Sequence, residues 1–153
     1  LTSQNPQFNL HDPEYRIYTH GRFLPGSRFS DCALKDVLVG EGCIITQAEI
    51  RHSVIGIRSI IKAGTRIKDS VIMGADYYDD SGEIPIGIGE NCDIEGAIID
   101  KSVRIGQDVH IKPFPLGTDV DTDAYSIKDG IVVIPKHTIL PSGTRICPEN
   151  VTA

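Results

Sequence analysis

The sequence predicts an all-β fold in which the chain coils as a solenoid of short parallel strands. One phrase repeats: Ile50-Arg-His-Ser-Val-Ile55 returns as Ile67-Lys-Asp-Ser-Val-Ile72, and an earlier copy starts at Leu34. A phrase that returns after 16 or 17 residues indicates one turn of a coil stacked on the next. With 6% aromatic residues and no Trp, the core must be built from Ile, Val and Leu, which favour strands. No helical period is sustained anywhere.

The spacing within each turn predicts a triangular cross-section. An apolar residue followed by Gly occurs at Val39, Ile55, Ile86 and Ile105, and each is followed by another apolar residue about six positions on. Three such apolar positions per turn predict a coil with three flat faces and with Gly or Asn at the corners. Coils of this hexapeptide-repeat class are left-handed, so we expect a left-handed parallel β-helix. A β-sandwich, the alternative, would need polar–apolar alternation and hairpin turns, which are scarce here.

The chain begins with a lead-in over residues 1–28, which is polar, contains three prolines and has no period. Several of its residues are too apolar for a free linker, and we expect them to lie extended against the coil or a neighbouring domain: Phe8, Leu10, Tyr15, Ile17, Tyr18, Phe23 and Leu24. Residues 29–153 form the predicted β-helix domain. Because the sequence opens with Leu rather than Met, we expect it to be part of a longer protein.

Two loops interrupt the predicted coil. The copy of the phrase at Ile94 comes 27 residues after Ile67, and the surplus matches the acidic, turn-rich segment 76–85. The next copy, at Ile111, breaks off at Pro113 and resumes at Ile127, which predicts a second loop over residues 113–126. The last apolar positions of the predicted repeat are Ile134, Ile139 and Ile146.

Charge and cysteine content exclude several classes of function. The net charge of −6 gives no reason to expect binding to nucleic acid or to an anionic membrane. No apolar run approaches the ~18 residues of a membrane span. The four cysteines have no C-x-x-C pair, so we expect buried thiols in a reducing, cytoplasmic compartment rather than a zinc or redox site. Two further groups are expected to be solvated: the alternating acids Asp119, Asp121 and Asp123, and the basic run Arg51, His52, Arg58, Lys62, Arg66 and Lys68.

A set of longer motifs resembles one protein family over nearly the whole chain, from about residue 8 onward. They are Phe8 to Thr19, Arg22-Phe-Leu-Pro25, His52 to Ser59, Met73-Gly-Ala-Asp-Tyr-Tyr78, Pro85 to Asn91, Ile98-Ile-Asp-Lys101, Arg104-Ile-Gly106 and Gly130 to Val133. In this order they closely resemble the C-terminal domain of ADP-glucose pyrophosphorylases, the glucose-1-phosphate adenylyltransferases. The segments 73–78 and 98–101 are the most specific to that family.

The resemblance implies a domain of a nucleotidyltransferase of glycogen or starch synthesis, in the cytoplasm or in the plastid of a plant or alga. The family joins ATP and glucose 1-phosphate to give ADP-glucose and pyrophosphate. ATP and Mg²⁺ are bound there by an N-terminal catalytic domain with a Gly-rich loop. The segment Ile86-Gly-Ile-Gly-Glu-Asn91 lacks the following helix and the Lys of a phosphate loop, so we predict no catalytic residue, cofactor or metal in this chain. The family's β-helix domain serves tetramer assembly and allosteric control by phosphorylated metabolites.

Lys101 and Lys136 are the leading candidates for an effector site. They occupy corresponding positions in phrases that lie on neighbouring coils if residues 113–126 loop out. Stacked strands are about 4.8 Å apart, so the two ammonium groups would converge, which is unfavourable unless an anion bridges them. A phosphate would satisfy both, whereas two lysines splayed into solvent are the alternative. The resemblance also implies effector binding at these two positions.

Two lead-in residues complete the candidate site. Arg22 matches an arginine that the family places near the effector, between the domains, and a guanidinium suits phosphate. His20 stands where plant and cyanobacterial relatives tend to have Gln, which leaves the effector open and could make its binding pH-sensitive. Arg22 bonded to backbone carbonyls is the alternative.

Three other functions are also compatible with the sequence. A free-standing hexapeptide-repeat acyltransferase would use a histidine base at a trimer interface, and a pure scaffold would bind no ligand. A sugar-nucleotide enzyme with another base is also compatible with this domain. A solenoid has two open ends, so we expect a cap, a partner domain or self-association.

Overall fold

The described part of the chain forms a triangular β-helix of six coils. The computed structural model describes residues 2, 7, 9–15 and 17–149, and Phe8 lies outside them. Face 1 of the triangle is a six-stranded parallel sheet. Its strands are β1 (Arg28–Ser30), β3 (Ile44–Thr46), β5 (Ile60–Ile61), β8 (Gly87–Ile88), β11 (Arg104–Ile105) and β16 (Ile139–Leu140). No helix in the described part is long and apolar enough to span a membrane.

Two strands run across a corner and so contribute to both remaining faces. They are β2 (Ala33–Val39) and β4 (Glu49–Ile55), whose first halves lie on face 2 and second halves on face 3. Face 2 continues with β6 (Arg66–Lys68), β9 (Asp93–Glu95), β12 (His110–Ile111) and β17 (Arg145–Ile146). Face 3 continues with β7 (Val71–Ile72), β10 (Ala97–Ile99) and β15 (Ile131–Ile134).

Parallel pairing stacks the repeated phrase in register, as predicted. On face 2 the phrase starts form one column: Leu34, Ile50, Ile67, Ile94, Ile111 and Ile146. The last five of these are at most 1% exposed. Because each inward isoleucine lies on the next, the single hydrophobic core of the coil is built from columns of mostly β-branched side chains.

The corners are turned mostly without glycine. Among the described residues, twelve other than Gly have positive φ, including Asp36, His52 and Asp69 on successive coils. We predicted Gly or Asn at corners, but Asp, Gln, His, Arg and Ser also occupy them. Buried hydroxyls support the turns: Ser70 donates its backbone N–H to Ser53 Oγ, and its own Oγ accepts from Ala97 N–H.

The first insertion is a loop, as predicted, and it packs on the coil. No strand occurs between Ile72 and Gly87. Tyr78 donates its hydroxyl to the Gly42 carbonyl at 2.7 Å, and Arg104 donates to the Ser81 and Ile84 carbonyls at 2.8 Å. These bonds fix the loop (residues 73–86) against coils on either side of its own position.

The second insertion differs from the prediction. Residues 113–126 are not a plain loop, because β13 (Val120–Asp121) pairs antiparallel with β14 (Ser126–Lys128), which pairs antiparallel with β15. Ile127 therefore belongs to a hairpin and does not restart the coil, and Ile146 is the residue that stacks on Ile111. The turn of this hairpin is Asp129-Gly130, with φ of 49° and 81°, a pair suited to a tight turn between strands.

Two smaller expectations also change. Ile139 is 56% exposed, and the inward position in β16 is taken by Leu140. In the described lead-in, Leu10, Tyr15, Ile17, Tyr18 and Phe23 are exposed, so they do not pack on the coil, and the alternative of packing against a neighbouring domain stays a prediction. Leu24 is half-buried beside Gly42, whose N–H donates to the Pro25 carbonyl. The domain boundary at residues 28 and 29 stays a prediction, although the first strand begins at Arg28.

Of the four cysteines, Cys43 and Cys92 are buried free thiols, whereas Cys32 and Cys147 are partly exposed. Burial raises the pKa of the Cys43 and Cys92 thiols, which keeps them protonated and unreactive.

Candidate functional site

Lys101 and Lys136 lie on neighbouring coils at one corner of the helix. β10 and β15 pair in register with Ile99 opposite Ile134, and each lysine follows its isoleucine by two residues. The backbone N–H of His137 donates to the Lys101 carbonyl at 3.1 Å, which continues the register past the strands. The prediction that the two lysines lie on adjoining coils is therefore confirmed.

A carboxylate bridges the two ammonium groups. Asp76 Oδ1 lies 3.2 Å from Lys101 Nζ, and Asp76 Oδ2 lies 2.6 Å from Lys136 Nζ. We refer to these three residues as the lysine–aspartate cluster. The two positive charges do converge as the stacking predicts, but a protein carboxylate occupies the bridging position that the sequence assigns to a phosphate.

The backbone of the coil places Asp76 at this corner. Ile72 stacks on Ile99, so the residues that follow Ile72 lie directly below those that follow Ile99. Ser102 N–H donates to the Gly74 carbonyl at 2.9 Å, and Asp76 N–H donates to Ser102 Oγ at 3.3 Å. Three successive coils thus contribute one charged side chain each to the cluster.

The charges in the cluster stabilise one another. Hydrogen bonds from Lys136, and then from Lys101, lower the pKa of Asp76 to about 2. The Asp76 carboxylate in turn raises the pKa of Lys136, with smaller contributions from Asp100 and Tyr77. Asp76 and Lys136 are therefore both charged near neutral pH.

The cluster remains open to solvent. The side chains of Lys101, Asp76 and Lys136 are 31%, 34% and 45% exposed. Each ammonium carries three donors, and the carboxylate cannot occupy all six. A small anion can therefore reach the cluster, but the position between the two ammonium groups is already filled.

The structure does not bring the two lead-in candidates to this cluster. His20 and Arg22 are exposed on a segment without strand structure. Within the described residues, neither makes a hydrogen bond or ion pair with Lys101, Lys136 or any other side chain. Their role in effector binding stays a prediction.

Asp76 is the residue that sequence reasoning missed. The sequence predicts only that Asp76 begins the loop over residues 76–85. The offsets show why: Asp76 follows the inward Ile72 by four residues, whereas Lys101 and Lys136 follow their inward isoleucines by two. Equal register therefore brings the two lysines together but does not predict the position of Asp76.

Three members of the basic run pair with acids on neighbouring coils, and their side chains stay 56% to 65% exposed, as expected for a solvated surface. Arg66 pairs with Asp93 at 3.1 Å, Lys68 with Glu95 at 2.7 Å, and His52 with Asp69 at 2.6 Å. The Lys68 ammonium lowers the pKa of Glu95, and His52 lowers the pKa of Asp69. These pairs form a charged stripe with nearly balanced signs, which suits a solvent-facing surface.

The glycines of the segment 86–91 have a structural role. A Cβ on Gly89 would lie 2.4 Å from the Gly106 carbonyl oxygen, and one on Gly87 would lie 2.6 Å from the Ile60 carbonyl oxygen. Their lack of a side chain lets neighbouring coils stack closely. In the described residues, no group of three or more His, Cys, Asp or Glu is arranged to hold a metal ion.

Comparison with known proteins gives two findings. Residues 22–145 match the family model of the GLGC left-handed parallel beta-helix domain. The chain is also 45% identical over 152 residues to the small subunit of glucose-1-phosphate adenylyltransferase, chloroplastic/amyloplastic, of Triticum aestivum. That alignment covers 92% of this chain and 32% of the wheat protein, so the chain spans about a third of this relative's length.

Proposed function

The chain belongs to the GLGC left-handed parallel beta-helix domain family, and from this premise we propose that it is the regulatory and assembly domain of a glucose-1-phosphate adenylyltransferase. The parent enzyme would join ATP and glucose 1-phosphate to give ADP-glucose and pyrophosphate. Mg²⁺ and ATP would be bound by a separate catalytic domain. The observation that supports a regulatory role is the convergence of Lys101 and Lys136 from adjoining coils.

The proposed effectors are small phosphorylated metabolites. Two ammonium groups held by stacked coils are suited to one phosphate group, because each contributes several N–H donors to oxygens of the same anion. Arg22 and His20 would join them when the lead-in is held by a catalytic domain. We place the parent in the cytoplasm, or in a plastid if the source is a plant or alga.

The assembly role is supported by the first coil. In the described part of the chain, β1 pairs only with β3 and β2 only with β4, so one end of the solenoid presents unpaired strand edges. Phe29 and Leu34 on this coil are 41% and 42% exposed. Such an edge requires a cover, and a domain or subunit of the same tetrameric enzyme would provide it.

Phosphate binding to the chain itself tests the regulatory proposal. Inorganic phosphate added to the isotope-labelled chain should shift the Nζ resonances of Lys101 and Lys136 in a saturable way. Lys101→Ala or Lys136→Ala should each weaken binding by about threefold to fivefold, the effect of losing one exposed charge pair. In a full-length enzyme, Lys136→Ala should also raise the activator concentration needed for half-maximal activation.

Lys128→Ala is the matched control. Lys128 also forms one ion pair, with Asp121 at 2.9 Å, but it lies on the hairpin and outside the cluster. Its substitution should leave phosphate binding unchanged. Equal phosphate affinity in the wild type, both cluster variants and the control would refute an effector site here and favour a ligand-free scaffold.

A further inference from the structure

The place between the two lysines is already occupied by a carboxylate that belongs to the chain. An anion gains the most binding free energy when it contacts both ammonium groups. Asp76 takes this position, with one oxygen on each Nζ. A phosphate that bridged the lysines would have to take the same position. Asp76 is thus in direct competition with the ligand class that the proposed function assigns to the site.

The backbone of Asp76 is fixed, so its carboxylate stays close to the lysines. Ala75 is buried and donates its N–H to the Ile57 carbonyl at 2.9 Å, and Asp76 N–H donates to Ser102 Oγ. Just downstream, Tyr78 anchors the loop to Gly42. The carboxylate can leave only by rotation of its own side chain, and a group tethered so closely acts at a high effective concentration.

Charge then decides which free anions can displace it. A free carboxylate carries the same single charge as Asp76, so it would interact with the two lysines no more strongly than Asp76 does. It would also lose translational freedom on binding. A phosphate monoester carries about −1.5 to −2 at neutral pH and offers three acceptor oxygens, so it interacts more strongly with two ammonium groups. Displacement is therefore favourable only for the more highly charged ligand.

We propose that Asp76 is a specificity-determining residue that occupies the Lys101–Lys136 site as an internal competitor, excludes singly charged carboxylates and yields to phosphate groups. This inference rests on the proposed function, because it requires that the two lysines bind phosphate. It goes further in assigning the resting occupant of the site and the reason for its selectivity.

Asp76→Asn is the direct test. The variant keeps the size of the side chain and removes its charge, so inorganic phosphate should bind the chain about fivefold more tightly, as expected from losing one like charge about 4 Å away in water. Acetate, which should not shift the Lys101 and Lys136 Nζ resonances of the wild type, should shift them in the variant and compete with phosphate.

Asp80→Asn is the matched control. Asp80 lies in the same loop and is exposed, so its substitution changes the net charge equally without touching the lysines. Its phosphate affinity should stay within about twofold of the wild type, since a solvent-exposed charge outside the site is strongly screened. Equal tightening in both variants would mean that only net charge matters, and it would overturn the role of Asp76.

The outcomes separate this inference from the proposed function. If Lys101→Ala and Lys136→Ala lose no affinity, the proposed function fails. If they do lose affinity but Asp76→Asn binds phosphate no more tightly, or more weakly, Asp76 only positions the lysines and the competitor role is wrong. Should Asp76→Asn not fold, the wild type still decides: saturating phosphate should shift the Asp76 carboxyl carbon resonance, and an unmoved resonance would contradict displacement.

Discussion

At the scale of single residues, the cluster depends on the charge of Asp76. Lys136 and Lys101 lower the pKa of Asp76 to about 2, below the ordinary value of 3.8. A carboxyl group whose pKa is depressed in the folded state stabilises the fold above its unfolded-state pKa. That contribution is lost as the pH falls through the folded-state pKa. The stabilisation that the Asp76 charge contributes is therefore lost between about pH 4 and pH 2.

This linkage predicts how Asp76→Asn changes acid stability. Near neutral pH the variant should unfold at a temperature on the order of 1 °C lower than the wild type, because an exposed ion pair contributes little. The difference should stay constant from pH 7 to about pH 5 and close as the pH approaches 2, where Asp76 itself becomes protonated. Calorimetric unfolding of both proteins between pH 7 and pH 2 measures this difference in unfolding temperature. A difference that persists unchanged at pH 2 would contradict a charge-based role, and Asp80→Asn should show no difference at any pH.

The same residue shows where prediction from sequence stopped. The repeat gives the register, and the register places Lys101 and Lys136 on adjoining coils, so both lysines were predictable. Asp76 lies in a segment without a repeat, and its composition indicated only a loop. Its position depends on hydrogen bonds to Ser102 and to neighbouring coils, which no local pattern in the sequence records.

At the scale of elements, close stacking of the coils determines which residues the corners accept. The inward columns were predictable because period and burial coincide at Ile50, Ile67 and Ile94. The hairpin over residues 120–134 was not, because Ile127-Lys-Asp-Gly-Ile-Val132 looks like a copy of the coil phrase. Its Asp-Gly pair indicates a tight antiparallel turn instead. The same six residues therefore fit two different local structures, a strand of the coil and a hairpin turn.

Gly56 offers a test of how tightly the coils stack. A Cβ at this position would lie 2.3 Å from the Met73 carbonyl oxygen on the next coil, and backbone atoms cannot move aside cheaply. Gly56→Ala should therefore destabilise the chain by about 2 kcal/mol or more, as over-packing does in dense interiors. The shift of the urea midpoint at unchanged slope measures this change.

Gly26→Ala is the matched control for this substitution. No atom lies within 4 Å of a Cβ built there, so stability should change by less than about 0.5 kcal/mol. If both variants unfold at the same urea concentration, the coils must be able to separate at Gly56 without cost, which contradicts the stacking described above.

At the scale of the whole molecule, the two ends of the solenoid differ. In the described residues, the hairpin covers the edge of face 3 at the C-terminal end, because β14 pairs with β15 and buries Ile127 completely. At the N-terminal end, no described strand pairs with the outer edges of β1 and β2, although the lead-in contacts this coil at Leu24 and Pro25. The need for a cap was predictable from the repeat, but the cover over face 3 at the C-terminal end depends on the hairpin, which the repeat concealed.

The open first coil leads to a prediction about self-association. The outer edge of β2 carries unpaired backbone donors and acceptors, and Leu34 is 42% exposed beside them. Without the domain or subunit that we propose as its cover, the isolated chain should associate through this edge at concentrations of about 100 µM, a weak affinity suited to a small interface. Leu34→Lys should reduce this association, because a lysine on an edge strand opposes pairing with another strand.

Ile139→Lys is the control, because Ile139 is 56% exposed but lies on β16, the edge strand of the last coil, at the opposite end of the solenoid from β2. Sedimentation velocity over a range of concentrations compares the three proteins. Association should be lost in Leu34→Lys and retained in Ile139→Lys. Loss in the second variant alone would place the contact at the opposite end of the solenoid. A wild-type chain that stays monomeric at every concentration would mean that strand edges at the first coil do not drive assembly.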